Sequence, residues 1–238
     1  MNILGIISTK LVMERSDLLR DGSPRLMHNA FGQATVFLTK KTALILRHGI
    51  DPRKHILPHT INYRANIQAL KDIGVKEIVG INSTSSLKMS LRPGMIVIPD
   101  DFLTLTGTPT FFQNRAVHIT PVLSEEVRAK IIKAAQHINL KIKKKGTYWQ
   151  TQGPRLETKA EIRMMAHFAD IVGMTMANEA VIAQEREIPY ASVCSIDNYG
   201  NGILNEPLSM QEILDGTRKN ADLMIQLLHS YLDLFYQG

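Results

Sequence analysis

A single cysteine in 238 residues excludes an internal disulfide framework and the small stapled folds that depend on one. Cys194 therefore points to a reducing cytoplasm. Long hydrophobic runs are missing too. The last apolar stretch, Ala221 to Phe235, is interrupted by charged residues, which argues against a membrane segment. The N-terminal NILGIIS lacks a preceding basic region and a small-residue cleavage site, so it reads as a first buried strand rather than a signal peptide. No linker rich in Pro, Gly or Ser, no low-complexity tract and no internal repeat divides the chain, so 1–238 is expected to form a single domain. The motif search is equally negative. GxxxxGK followed by Ser or Thr, GxGxxG after the first strand, HExxH, clustered cysteines and GxSxG are all absent, which removes the main support for kinase-like, dinucleotide-binding, zinc and serine-hydrolase readings. His48, His55 and His59 cluster in sequence, but on a stretch broken by Pro52 and Pro58, so no metal is expected there.

What is present is a large apolar fraction, 44% of the residues, with 28 Lys and Arg against 22 Asp and Glu, a formal charge of +6. That excess draws anions without naming one. The densest basic run, Lys141, Lys143, Lys144 and Lys145, lacks interleaved aromatics and alternates with Leu140 and Ile142 like an edge strand, so nucleic acid is not an expected partner. Strand-like runs are Ile3 to Ile7, Thr35 to Leu38, Ala43 to Leu46, Glu77 to Ile81, Met95 to Ile98, Thr147 to Gln150, Ile171 to Met174 and Ala191 to Ile196. Helical patterns cover Ile61 to Ile73, Ser124 to Ile138, Thr158 to Phe168 and Glu179 to Glu187, and a last helix starts at Ser209 with a capping pair to Glu212. This alternation predicts an α/β domain around a mostly parallel sheet, with ligands beyond the strand ends.

Three of those ends suit an anion. Arg47-His48-Gly49 puts a guanidinium fork beside an imidazole on a turn. Asn82-Ser83-Thr84-Ser85-Ser86 is a run of small polar residues that reads either as an oxyanion cradle or as an ordinary loop. Thr175, followed by Asn178-Glu179 at a helix start, is a third. The stretch TQGPRLET, residues 151–158, sets Arg155 and Glu157 on a turn just before a helix, either as a solvated turn or as a binding edge.

RHG, HILPHTINYRANIQALKDIGV, LRPGMIVIPDDFL, TQGPRLETKAEI and DIVGMTMANEAVIAQEREIPYA, in this order, resemble the trimeric purine nucleoside phosphorylase and methylthioadenosine phosphorylase family from about residue 3 to residue 230. Within it, TQGPRLETKAEI, PHTINYRANI and DIVGMT are most similar to the methylthioinosine phosphorylase branch. The resemblance implies a central mixed, twisted sheet flanked by helices, a homotrimer, and reversible phosphorolysis of a purine nucleoside to free base and sugar 1-phosphate, with inorganic phosphate as co-substrate and no cofactor. It implies phosphate contacts from Ser8, Thr9, Arg47, His48, Asn82, Ser83 and Thr175, a ribose contact from Met174, and base contacts from Glu157 and Asn198, with Glu157, Asn198 and His48 in the catalytic roles. An acceptor carboxylate at N1–H and an amide at the O6/N7 edge suit hypoxanthine or guanine. A one-position shift presenting Asp197 instead would favour adenine.

The chain departs from the family at two loops. Its first strand runs into Ser8-Thr9-Lys10 without the usual glycines, and residues 82–86 lack them as well, which restricts positive-φ backbone next to phosphate. A methylthioadenosine phosphorylase and a non-catalytic nucleoside-binding relative are the alternatives.

Overall fold

In the residues 2–237 that the structure, a computed structural model, describes, side-chain alternation in β1 (Leu4–Ser8) sends Leu4 and Ile6 to one face and Ile7 to the other. Two single-turn helices follow, α1 (Lys10–Met13) and α2 (Asp17–Arg20), N-capped by the hydroxyls of Thr9 and Ser16. Then come β2 (Ser23–Asn29), β3 (Gly32–Leu38) and β4 (Thr42–Leu46). Helix α3 (Tyr63–Ile73) is capped by Asn62 and stopped by Gly74, whose φ of 83° places it in the left-handed region open to glycine. Next are β5 (Glu77–Ser86), β6 (Ile96–Val97) and β7 (Asp101–Thr104), followed by α4 (Glu125–His137), β8 (Ile142–Lys143) and β9 (Thr147–Gln150). The chain continues through α5 (Lys159–Met165), β10 (Ile171–Gly173), α6 (Met176–Glu185) and β11 (Tyr190–Tyr199) to α7 (Met210–Phe235).

These strands form one eleven-stranded mixed sheet. Its centre is parallel, with β4 beside β1, β1 beside β5 and β5 beside β11, while β2, β3, β6 and β10 bring in antiparallel pairs. Helices α3 and α6 pack on the face carrying Ile7, Ile45, Ile78, Tyr190 and Cys194. Helices α1, α4 and α7 cover the face of Leu4, Ile6, Val79, Ile81 and Val193. A smaller cluster of Trp149, Ile162, Met165 and Val172 seats α5.

The sheet forks at β5. This strand has ten residues against the five of β1, so the smaller neighbour leaves after Gly80 and the exposed edge is taken up again only at Ser85 and Ser86, by antiparallel β10. Backbone carbonyls at such a split need partners other than a strand.

Several expectations are corrected. The supposed loop 82–86 is the second half of β5, because each of its residues keeps a register partner in β11. The sheet is mixed, as the resemblance implies, with more parallel than antiparallel pairings, as the alternation predicts. Strands β2 and β7 carry no strand pattern in the sequence, since both lie at outer positions, β2 largely exposed and β7 at best half-buried, with no buried alternation. The strand expected over Met95 to Ile98 shrinks to two residues, and the helix expected from Glu179 already begins at Met176. The Thr158–Glu161 capping box is complete, whereas at Ser209 the hydroxyl accepts from the Glu212 N–H with no return bond among the described residues.

At the base of the sheet, buried Glu77 accepts from Tyr231 (2.6 Å), Tyr236 (3.0 Å) and Lys130 (2.7 Å), fastening α7 and α4 to the start of β5. A Tyr231→Phe variant is expected to lose about 1 kcal/mol through this bond, read as a drop of about 2–4 °C in Tm for a chain of this size.

Candidate active site

Arg47 directly follows β4 and fills the fork. Only 2% exposed, its guanidinium donates to the carbonyls of Ile81 (2.7 Å) and Ile7 (2.9 Å), one on each strand that parts there. Its other edge grips Glu179 of α6 as a two-point ion pair, Nε to Oε1 at 2.6 Å and Nη2 to Oε2 at 3.1 Å. Tyr190 of β11 donates to the same carboxylate at 2.8 Å. Burial works against the Arg47 charge, but Glu179 outweighs it and the guanidinium pKa rises. The expected free fork on a flexible turn is therefore corrected: most of the five donors of Arg47 serve the scaffold.

His48, next in sequence, does stand on a turn. Its Nδ1 lies 2.7 Å from the Ile56 carbonyl, and the ring stacks on His55 at 4.8 Å. Burial, with the neighbouring Arg47 charge and His55, pushes its pKa from 6.5 down to about 4. At neutral pH the ring is uncharged; Nδ1–H then donates to Ile56 and Nε2 remains an acceptor.

The other expected residues gather around the same strand ends. Ser8 closes β1, and its carbonyl accepts from the Arg47 N–H at 2.9 Å. Its Oγ is buried without a hydrogen-bond partner among the described residues. Thr9 caps α1, and Lys10 donates to the Ile50 carbonyl at 3.1 Å, tying that helix to the His48 turn. Thr175 donates to Asn82 Oδ1 at 2.8 Å, while Asn82 Nδ2 donates to Ser192 at 2.7 Å. The adjacent Ser83 side chain points to the opposite face, 3.4 Å from Thr217 of α7.

The N-terminus of α6 is not an open anion site. Gln150 Oε1 accepts from the N–H groups of Ala177 (2.7 Å) and Asn178 (3.3 Å), and the Tyr148 hydroxyl lies 3.3 Å from the Thr175 N. These two β9 side chains satisfy the amides that a helix start leaves free.

The turn 151–158 separates its charges. Arg155 is exposed and pairs with both oxygens of Glu161 (2.7 and 2.8 Å), reinforcing the start of α5. Glu157 instead turns inward, 7% exposed, and Thr151 donates to its Oε1 at 2.6 Å. The Thr151 N–H in turn bonds the Gly173 carbonyl at 2.9 Å. Met174 comes next in β10's exit, against Gly153. A Cβ at Gly153 would sit 2.5 Å from the Met174 sulfur, and the glycine φ is +64°, so both space and backbone call for glycine. A continuous path thus runs from Glu157 through Met174 and Thr175 to Asn82 and the Arg47 fork. Asn198, 1% exposed, holds Ser85 Oγ and the Tyr199 carbonyl with Nδ2 at 2.8 and 2.7 Å. Cys194 is buried, which raises its thiol to about 12 and leaves it a small hydrophobe.

A sequence profile described as the phosphorylase superfamily matches residues 20–233. The chain belongs to the phosphorylase superfamily. Relatives include a probable 6-oxopurine nucleoside phosphorylase of Archaeoglobus fulgidus, 38% identical over 92% of this chain and 91% of the relative. A probable S-methyl-5'-thioinosine phosphorylase of Methanocaldococcus jannaschii is 37% identical over 97% and 92% of the two chains. The fold also matches a methylthioadenosine phosphorylase from Schistosoma mansoni with a TM-score of 0.87, at 24% identity over 99% and 92%.

Glu179, Tyr190, Gln150 and Ser192 organise this superfamily member's strand ends and were not singled out as site residues in the sequence. In the sequence Glu179 is legible only as part of the helix start Asn178-Glu179, read there as suited to an anion. Its partner lies 132 positions away, a distance over which no local pattern speaks.

Two outcomes follow for this site. A Glu179→Gln variant leaves the Arg47 charge buried without its counter-ion and is expected to lose about 3–5 kcal/mol of stability, measured by denaturant unfolding. For His48, the fold disfavours the protonated ring, so as pH falls through 6.5 the unfolded chain takes up the proton first, and stability drains away down to about 4,. A His48→Asn variant is expected to flatten the dependence of Tm on pH across that window.

Proposed function

We propose that this protein catalyses phosphate-dependent cleavage of a 6-oxopurine nucleoside, methylthioinosine or inosine and guanosine, releasing the base and a sugar 1-phosphate. The observation that carries this reading is the inward carboxylate of Glu157. Thr151 holds one of its oxygens, and the other oxygen is an acceptor suited to a purine that carries a proton at N1. The naming of the archaeal relatives supports the same substrate class.

In this reading phosphate binds where β1 and β4 end beside the middle of β5. The hydroxyls of Ser8, Thr9 and Thr175 act as donors, Thr175 exchanging its Asn82 bond to do so, with the Asn82 amide and the field of Arg47 behind them; Ser83, whose side chain faces α7, is not placed among them. The unpartnered Ser8 hydroxyl gains a bond there. Neutral His48 offers Nε2 as an acceptor, suited to the O–H of a protonated phosphate or of the sugar. Met174 lies under the ribose. As the glycosidic bond lengthens, positive charge develops on the sugar next to the phosphate anion, and negative charge leaves with the base. The site's contribution is positioning and electrostatic stabilisation at both ends. Asn198 donates to the O6/N7 edge, exchanging its Ser85 bond to do so. The reaction draws on no cofactor beyond inorganic phosphate, and the same reading makes the enzyme a cytoplasmic homotrimer in purine salvage.

The test is release of hypoxanthine from inosine and methylthioinosine, with and without phosphate. Release is expected only with phosphate. A Glu157→Ala variant, folded by circular dichroism, is expected to lose about a hundredfold in kcat/KM. Unchanged turnover in that variant would remove Glu157 from the base site.

A further inference from the structure

Strand β11 carries a bulge where its pairing with β5 slips between Ile196 and Asn198. A bulge inserts one residue and re-aims side chains. Here it sets two acceptor-bearing side chains next to each other on one face. Asn198 meets Ser85, while Asp197 engages Ser83, two positions earlier in β5, and residues two apart on a strand share a face. The two differ in what they offer a purine. A carboxylate only accepts, matching the 6-amino group of adenine and opposing the O6 of a 6-oxopurine, whereas an amide also donates.

Helix α7 holds Asp197 out of play. Thr217 donates to its Oδ2 at 2.6 Å, and Asn220 Nδ2 donates to its Oδ1 at 2.7 Å and lies 3.0 Å from the Ile196 carbonyl. Gly216 lets the helix sit directly on the bulge: a Cβ there would come within 2.1 Å of the Asp197 carbonyl oxygen. Asp197 is 3% exposed. Burial raises its pKa, and the hydrogen bonds from Ser83, Thr217 and Asn220 work against that rise.

We infer that α7 decides which of the two neighbouring side chains is presented to the purine six-position, with Thr217 and Asn220 as positioning residues that withhold the Asp197 carboxylate and so set the preference for a 6-oxo base. This rests on the phosphorolysis reading above. Removing the grip frees the carboxylate to accept from a 6-amino group.

The experiment compares kcat/KM for methylthioadenosine and methylthioinosine in the wild type, Thr217→Val, Asn220→Asp, Thr217→Ser and the double variant Thr217→Val with Asp197→Asn. The ratio is expected to shift toward methylthioadenosine by about tenfold or more in Thr217→Val. A shift in the same direction is expected in Asn220→Asp, where a facing carboxylate repels Asp197. Thr217→Ser, which keeps the hydroxyl, is expected to hold the ratio near that of the wild type, and the double variant to cancel the shift. A merely structural role would depress both substrates together. An unmoved ratio in both Thr217→Val and Asn220→Asp overturns the inference while leaving phosphorolysis intact, as does a shift that survives removal of the Asp197 carboxylate. A wild type that takes only 5′-hydroxyl nucleosides is compared on adenosine against inosine in the same variants, and one that cleaves none of methylthioadenosine, methylthioinosine, inosine and guanosine overturns the phosphorolysis reading and this inference with it.

Discussion

The ion pair between Arg47 and Glu179 is the interaction on which the rest of the site depends. A central strand twice as long as its neighbour has to fork the sheet, and a fork leaves carbonyls without ladder partners. Arg47 answers both sides of the split at once, and its charge is tolerable in the interior only because Glu179 balances it,. The pair also joins β4 to α6, so the strand ends that carry Ser8, Asn82 and Thr175 are held at fixed spacing by one buried contact.

This arrangement separates scaffold from chemistry. Groups that look reactive in isolation, the Arg47 fork and the amides at the start of α6, are spent on structure by Glu179, Gln150 and Tyr148. What remains for a ligand among the described residues is smaller and mostly uncharged: the unpartnered hydroxyl of Ser8, the Nε2 of a neutral histidine and one oxygen of Glu157. Such a site suits a reaction whose barrier is lowered by orientation and by dipoles aimed at developing charge rather than by a strong nucleophile.

Much of this was legible in the sequence. Where apolar periodicity is strong and caps are local, as in α3, α4, α5 and the central strands, element type followed from residues within a few positions of one another. The pieces that failed had no such signal. β2 is exposed on an outer edge and shows no alternation, and the polar run 82–86 resembles a loop although β11 pairs with every residue of it. In the sequence the turn 151–158 reads either as a solvated turn or as a binding edge because Arg155 and Glu157 stand together, yet the two part company. One braces α5 and the other faces inward, a choice made by Glu161 and Thr151.

The sequence by itself determined the class of fold, the positions of the main helices and strands, and the residue types at the strand ends, because these follow from local periodicity, capping and composition. Only the tertiary structure decided which of those side chains are free and which are already bonded. Hydrogen-bond partners such as Glu179 for Arg47, Thr217 for Asp197 and Gln150 for α6 come from distant segments, and a polar group's availability depends on its neighbours in space, which no short window of sequence contains.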